Sequence, residues 1–121
     1  YTTFEFENVS LKRPSIHNID DKISVEVEVI NSGNIAGAEV VQVYSHDIQS
    51  SVKRPPRELV GFEKVYLQPG ESRIVPIAVK AEDLAFYDVS RHDWFLEPGK
   101  LKLLIGNSSR TIYLDAELSV S

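Results

Sequence analysis

The run Lys53–Gly70, KRPPRELVGFEKVYLQPG, decides the fold class. Pro55 and Pro56 fix φ and remove two backbone donors, so the chain arrives extended and cannot be helical there. Leu59, Val60, Phe62, Val65, Tyr66 and Leu67 then supply the apolar, aromatic and β-branched side chains of a strand. Gly61 sits inside that run, where a bulge or a close backbone approach is expected. Gln68-Pro69-Gly70 ends it, with Pro suited to the second position of a turn and Gly to the positive φ of the third. Phe62 reads as a core residue, and its truncation to Ala is expected to cost about 3–5 kcal/mol. The stretch predicts a β-domain and contains no catalytic constellation.

Working outward, Ile23–Ile30 (ISVEVEVI) shows the clearest period-two alternation: Ile23, Val25, Val27 and Val29 inward, Ser24, Glu26 and Glu28 outward. Turn formers follow at Asn31, Ser32, Gly33, Asn34 and Gly37, and Ala38–Ser45 is again β-branched, so the two runs are expected to be neighbouring strands. Val40 and Val41 in succession predict coverage on both faces at that point. Upstream, Thr2–Leu11 reads as a strand with one extra residue near Asn8. Lys12–Asp21 reads as a polar loop whose Ile16 and Ile19 cover the core edge. Downstream come a strand from Glu71 to Val79, with Pro76 marking a sheet edge or a bulge, and one short helical turn at Lys80–Phe86. Phe86–Leu96 reads as a hairpin turning at Ser90–Asp93, and Leu101–Ile105 and Arg110–Val120 are the closing strands. Seven or eight strands with regular turn signals predict an all-β, immunoglobulin-like antiparallel sandwich, with residues 1–121 as one domain.

Composition narrows the function. A chain of 121 residues can bury one core without staples. Thirteen Lys plus Arg against eighteen Asp plus Glu leave a net charge of −5, which disfavours nucleic acid and anionic membranes as partners. Absence of cysteine removes disulfides, thiol nucleophiles and zinc-thiolate sites, but leaves both secreted and cytoplasmic locations open. No run approaches the ~18 apolar residues of a membrane span. Tyr1 is not an initiator, so a preceding part is expected. Two sequons, at Asn8 and Asn107, fit glycosylation but arise often by chance.

The chemistry-bearing residues are sparse. Glu26 and Glu28 belong to a wet strand face, and Asp20-Asp21 and Glu82-Asp83 to strand or turn ends, without the alternating oxygen ligands of a calcium loop. His17, His46 and His92 lie in three different loops without zinc-site spacing. Serines are plentiful, but no GxSxG elbow and no phosphate-cradling glycine loop is present. No cofactor, metal or catalytic residue is therefore expected in these 121 residues. Two surface features stand out. His46–Arg57 is a long polar loop of a length that is usually functional or docked, and its Lys53, Arg54 and Arg57 beside the two prolines could pair with partner carboxylates on a rigid scaffold. Trp94, next to Phe95 and Asp93, is either a packing residue or a sugar-stacking platform.

Taken together, SVKRPPRELVGFEKVYLQPGES at 51–72, LAFYDV at 84–89, the Trp94 hairpin, EPGKLKLLIGNSSR at 97–110 and the opening YTTFEFENVSL resemble the C-terminal fibronectin type III-like domain of family 3 glycoside hydrolases, best known as β-glucosidases. The resemblance covers nearly the whole chain, through Arg54–Phe62, Pro69-Gly70-Glu71, Asp83–Asp88, Glu97-Pro98-Gly99 and Gly106–Ser109. It implies a fibronectin type III-like sandwich with no catalytic residue of its own. In that family the carboxylate nucleophile lies on an N-terminal barrel and the acid–base residue usually on an α/β domain, while this domain braces the two. Matching positions for docking on those domains are Arg54, Pro55, Arg57, Glu58, Leu59 and Phe62, with His46–Val52 as a variable loop near the active-site rim. The implied parent hydrolyses terminal β-D-glucosyl residues of a β-glucoside or oligosaccharide. The competing expectations are a carbohydrate-binding module, with Trp94, Tyr87 and Phe95 facing solvent, and a free-standing adhesion sandwich.

Overall fold

The alternation of Ile23–Ile30 becomes the central strand of a three-stranded sheet in the computed structural model, which describes residues 3–12, 15–47, 58–108 and 111–121. In chain order the strands are β1 Phe4–Lys12, β2 Ser15–Ile16, β3 Lys22–Asn31, β4 Gly37–Asp47, β5 Glu58–Leu67, β6 Ser72–Lys80, β7 Phe86–Asp88, β8 Asp93–Phe95, β9 Gly99–Ser108 and β10 Thr111–Val120, with a 3-10 turn at Ala81–Leu84. Seven of these are nine to eleven residues long and match the expected strands. Of the three short ones, β7 and β8 form the expected hairpin, and only β2 is an addition. It lies inside the span expected to be loop, and pairs in parallel with the end of β10.

The sheets are β1-β3-β6 and β2-β10-β9-β4-β5, with β7-β8 as a separate ribbon. Ile23, Val25, Val27 and Val29 of β3 and Val75, Ile77 and Val79 of β6 share one buried cluster with Val41 and Val43 of β4, Leu101, Leu103 and Ile105 of β9, and Leu118 and Val120 of β10. Each such side chain removed from water contributes about 1.5–3 kcal/mol, which is what holds the two layers face to face. Ile16 is fully buried at the edge of this core, whereas Ile19 is exposed.

The expected pairing of Ile23–Ile30 with Ala38–Ser45 does not occur. β3 pairs with β1 and β6, and β4 with β5 and β9, so the turn formers at 31–37 carry the chain from one layer to the other. Both strands are apolar on their inner faces, and facing each other across the core buries both at once. Asn31 makes the crossing possible. Its side chain is buried, its Nδ2 donates to the carbonyls of Ile35 at 3.0 Å and Leu67 at 3.1 Å, and its Oδ1 accepts the Gly33 N–H at 2.9 Å. Its backbone also bonds to Glu71 and Gly70. Coverage on both faces of β4 falls at Val43, Tyr44 and Ser45 rather than at Val40, which is only half-buried.

Register shifts occur on the outer strands β1 and β5 and also between the inner strands β9 and β10, at Thr111–Leu114. The β1–β3 register shifts between Glu7 and Val9, leaving Asn8 at φ 48°, where its amide reaches Glu28 at 2.9 Å. Between β4 and β5 the register shifts at Val43/Tyr44, so Val60 is the extra residue of a bulge. Next to it, a Cβ on Gly61 would lie 2.9 Å from Ile77 Cγ2 and 3.1 Å from the Ala78 carbonyl, which explains the glycine by close approach of β6. Pro76 lies on β6, an edge strand, with its side chain exposed. Gly70 at φ 77° completes the turn expected at Gln68–Glu71.

Candidate functional site

Two exposed surfaces collect the candidate residues. The first is the outer face of β5. On β4 the inward positions are Val41, Val43 and Ser45, so Ala38, Gln42 and Tyr44 face outward, and their partners Tyr66, Phe62 and Leu59 face outward with them. Phe62 is therefore not a core residue. It is 65% exposed, because the bulge at Val60 resets the alternation and gives the inward positions to Val60, Val65 and Leu67. Leu59 and Tyr66 are also more than half exposed. Tyr44 is buried although it faces outward, with Leu59 on one neighbouring strand and Leu104 on the other. Glu58 is half-buried, opposite Ser45. The structure thus brings Leu59 and Phe62 together, and adds Tyr66. Reading 62, 64 and 66 as one face would have found it. Arg54, Pro55 and Arg57, with residues 48–52 of the His46–Val52 loop, lie outside the described residues.

The second surface is at one end of the sandwich. The start of β3 pairs with the end of β6, the end of β10 pairs with β2 and with the start of β9, and the end of β4 pairs with the start of β5 and of β9. The 17–21 connection, the 3-10 turn and the β7–β8 ribbon therefore gather at the end where Asp47 and Glu58 also lie. Ala81 and Leu84 are the buried side of the 3-10 turn, and the Ala81 N–H donates to the Asp21 carbonyl at 2.9 Å, so Glu82 and Asp83 point outward. Asp21 Oδ2 in turn accepts the N–H groups of His17 and Asn18, which identifies this carboxylate as a turn brace.

The β7–β8 ribbon pairs Phe86 with Phe95, Tyr87 with Trp94 and Asp88 with Asp93, as the expected hairpin requires. His92, at φ 53°, closes its turn. The Arg91 guanidinium lies 4.0 Å above the Phe95 ring. Tyr87 and Trp94 meet edge to face, with centroids 5.9 Å apart and an interplanar angle of 80°. Trp94 is 59% exposed and so is not a core residue. Its ring borders an open cleft of about 480 Å³ lined by Ile19, Glu82, Asp83, Asp93 and Trp94. Asp93 Oδ1 accepts the Trp94 backbone N–H at 2.8 Å. Sequence reasoning took Glu82-Asp83 as turn-end carboxylates and missed that the ribbon folds Asp93 and Trp94 back beside them. Among the described residues no group of His, Asp or Glu is arranged to hold a metal ion.

The profile of the family described as the fibronectin type III-like domain matches residues 39–109. The chain belongs to this family. Beyond the matched span, the fibronectin type III-like chain is 41% identical over 121 residues to thermostable β-glucosidase B of Acetivibrio thermocellus, covering 100% of itself and 16% of that protein. It is 42% identical over 112 residues to β-glucosidase BoGH3A of Bacteroides ovatus, covering 93% of itself and 15% of that protein. Among solved structures, β-D-glucoside glucohydrolase from Trichoderma reesei superposes with a TM-score of 0.90 at 30% identity, over 100% of this chain and 19% of that one. The chain is thus similar to a small domain of family 3 β-glucosidases, spanning less than a fifth of the relatives it matches.

Proposed function

We propose that this fibronectin type III-like chain, residues 1–121 as one domain, is a non-catalytic accessory part of a family 3 β-glucosidase, bracing a catalytic barrel and an α/β domain of the same parent chain. The parent would hydrolyse terminal β-D-glucosyl residues of a β-glucoside or oligosaccharide. The observation that carries this reading is the set of exposed apolar side chains Leu59, Phe62 and Tyr66 on one face of β5, with Lys64 between the last two, on a domain whose relatives are much longer enzymes. Leaving three large apolar side chains in water is unfavourable, and covering them stabilises an interface whose rim is polar. Glu58 is half-buried at the start of β5, and the residues before it in the sequence, Arg54, Pro55 and Arg57, are of types suited to docking, Arg by pairing with a partner carboxylate. Held in this way, the two catalytic carboxylates of the parent keep the separation that a retaining reaction needs.

The test uses the parent enzyme with Phe62→Asp and Tyr66→Asp together, both at exposed positions. The expected result is a lower melting temperature and a reduced kcat/KM for an aryl β-glucoside, while the same changes leave the melting of the 121-residue chain unaltered. An enzyme as stable and active as the unaltered one would overturn the bracing role.

A further inference from the structure

The cleft beside Trp94 is not needed to explain the exposed apolar side chains of β5, and its lining has a chemistry of its own. From it we infer that the fibronectin type III-like chain carries a saccharide-binding site, with the Trp94 indole as platform and Glu82, Asp83 and Asp93 as hydroxyl acceptors. The class of ligand is an oligosaccharide of β-linked glucosyl units. The inference rests on the proposed function only for that choice of sugar.

Three features point to a sugar. First, the platform is exposed and oriented. Tyr87 meets the indole edge to face at 5.9 Å, which braces the ring from its own ribbon, and Trp94 lines the cleft with more than half its surface exposed. Such bracing lowers the entropy lost when a ligand stacks. Second, the cleft combines an apolar surface, the indole with Ile19, with three carboxylates that accept hydrogen bonds and donate none when ionised. A β-glucosyl unit is complementary to that combination: its equatorial hydroxyls leave the ring faces apolar for stacking and radiate outward as donors. Third, the three carboxylates are not grouped as metal ligands among the described residues, and each is exposed; with Lys80 4.0 Å from Glu82 Oε1 and the Trp94 N–H on Asp93 Oδ1, the Glu82 Oε2, Asp93 Oδ2 and Asp83 oxygens are left for separate hydroxyls. The volume of about 480 Å³ falls in the ordinary range of small-ligand sites.

Trp94 is the one tryptophan of the sequence, so the intrinsic indole emission of the 121-residue chain reports on this cleft alone. Titration with cellobiose and with laminaribiose is expected to change that emission saturably, with glycerol at equal mass concentration producing no saturable change. The double variant Glu82→Gln, Asp83→Asn, with unchanged far-ultraviolet circular dichroism, is expected to bind about tenfold more weakly, as loss of charge-assisted hydrogen bonds requires. Saturation-transfer NMR on cellobiose is expected to lose its signal in Trp94→Ala, a change at an exposed side chain. A response matched by glycerol, no saturable response to either disaccharide, or affinity unchanged in the double variant would each overturn the site. In the parent enzyme, hydroxyl-radical oxidation of Trp94 read by mass spectrometry is expected to proceed readily. Protection there would also overturn it, because the platform would be covered by the rest of the parent chain. None of these outcomes bears on Phe62 and Tyr66, so the bracing role stands or falls separately.

Discussion

The side-chain amide of Asn31 donates to the main-chain carbonyl of Leu67 at 3.1 Å, joining the last residue of a strand in one sheet to the last residue of a strand in the other. With the bonds to Ile35 and Gly33 it fully employs a buried amide. Asn31→Ala removes all three of these side-chain bonds from a buried site. The expected loss is about 1–3 kcal/mol, read as a fall in Tm of roughly 5–15 °C. Asn31→Asp should be no better, since a carboxylate cannot donate to either carbonyl.

Truncations separate the two faces of the five-stranded sheet. Phe62→Ala in the 121-residue chain is expected to cost less than about 1 kcal/mol by denaturant unfolding, as at other exposed positions. Leu103→Ala, on the fully buried inner face, should cost about 3–5 kcal/mol. Comparable losses at the two positions would contradict the register of β5 on β4.

Gly106 is tighter than Gly61. A Cβ there would lie 1.9 Å from the Thr111 carbonyl oxygen, and backbone cannot yield as a methyl group does. Gly106→Ala should destabilise by at least about 3 kcal/mol, and Gly61→Ala by about 1–2 kcal/mol, because its nearest obstacle is the Ile77 methyl. Equal effects, measured by urea midpoints, would refute the packing of β10 on β9 at this turn.

Glu71 gives the chain an acid dependence of known sign. Its carboxylate accepts the Gln68 backbone N–H at 2.8 Å, which is the main reason its pKa lies below the ordinary Glu value; desolvation opposes this, and Arg73 at 3.2 Å adds to the lowering. A carboxylate favoured by the fold contributes stability above its unfolded pKa, and that contribution is lost as pH falls through the folded pKa. Glu71→Gln should therefore lower stability at neutral pH and flatten its decline on the acid side of the ordinary Glu value. An unfolding curve of the same steepness in the variant, or an NMR titration placing Glu71 above that value, would exclude the effect.

Much of this fold is visible in the chain because period-two alternation reports burial directly. Ile23–Val29, Val75–Val79 and the pause at Asn8 all appear where the residues place them. Sheet membership was not legible, because the inward alternation of β3 and β4 is the same whether the strands pair or face each other across a core. Phe62 was misread for a local reason: a one-residue bulge inverts the sides of everything beyond it, and Leu-Val-Gly-Phe does not announce which residue is extra. The candidate cleft was half legible. Trp94 drew attention by its type, while Glu82 and Asp83 acquire their place beside it only through the turn after β6 and the return of the ribbon.

Among the described residues the two main sheets end on β1, β6, β2 and β5, and each of these outer strands is interrupted or short. β1 carries the bulge at Asn8, β5 the bulge at Val60, β6 has Pro76 in place of a backbone donor, and β2 offers two residues only. A bent, interrupted or very short edge is a poor template for an incoming strand. Among the described residues, two copies brought together at high concentration thus meet bent, interrupted or short outer strands at β1, β5, β6 and β2. Outer strands of this kind disfavour strand-to-strand pairing between copies, while side chains such as Phe62 and Trp94 remain exposed for specific contacts.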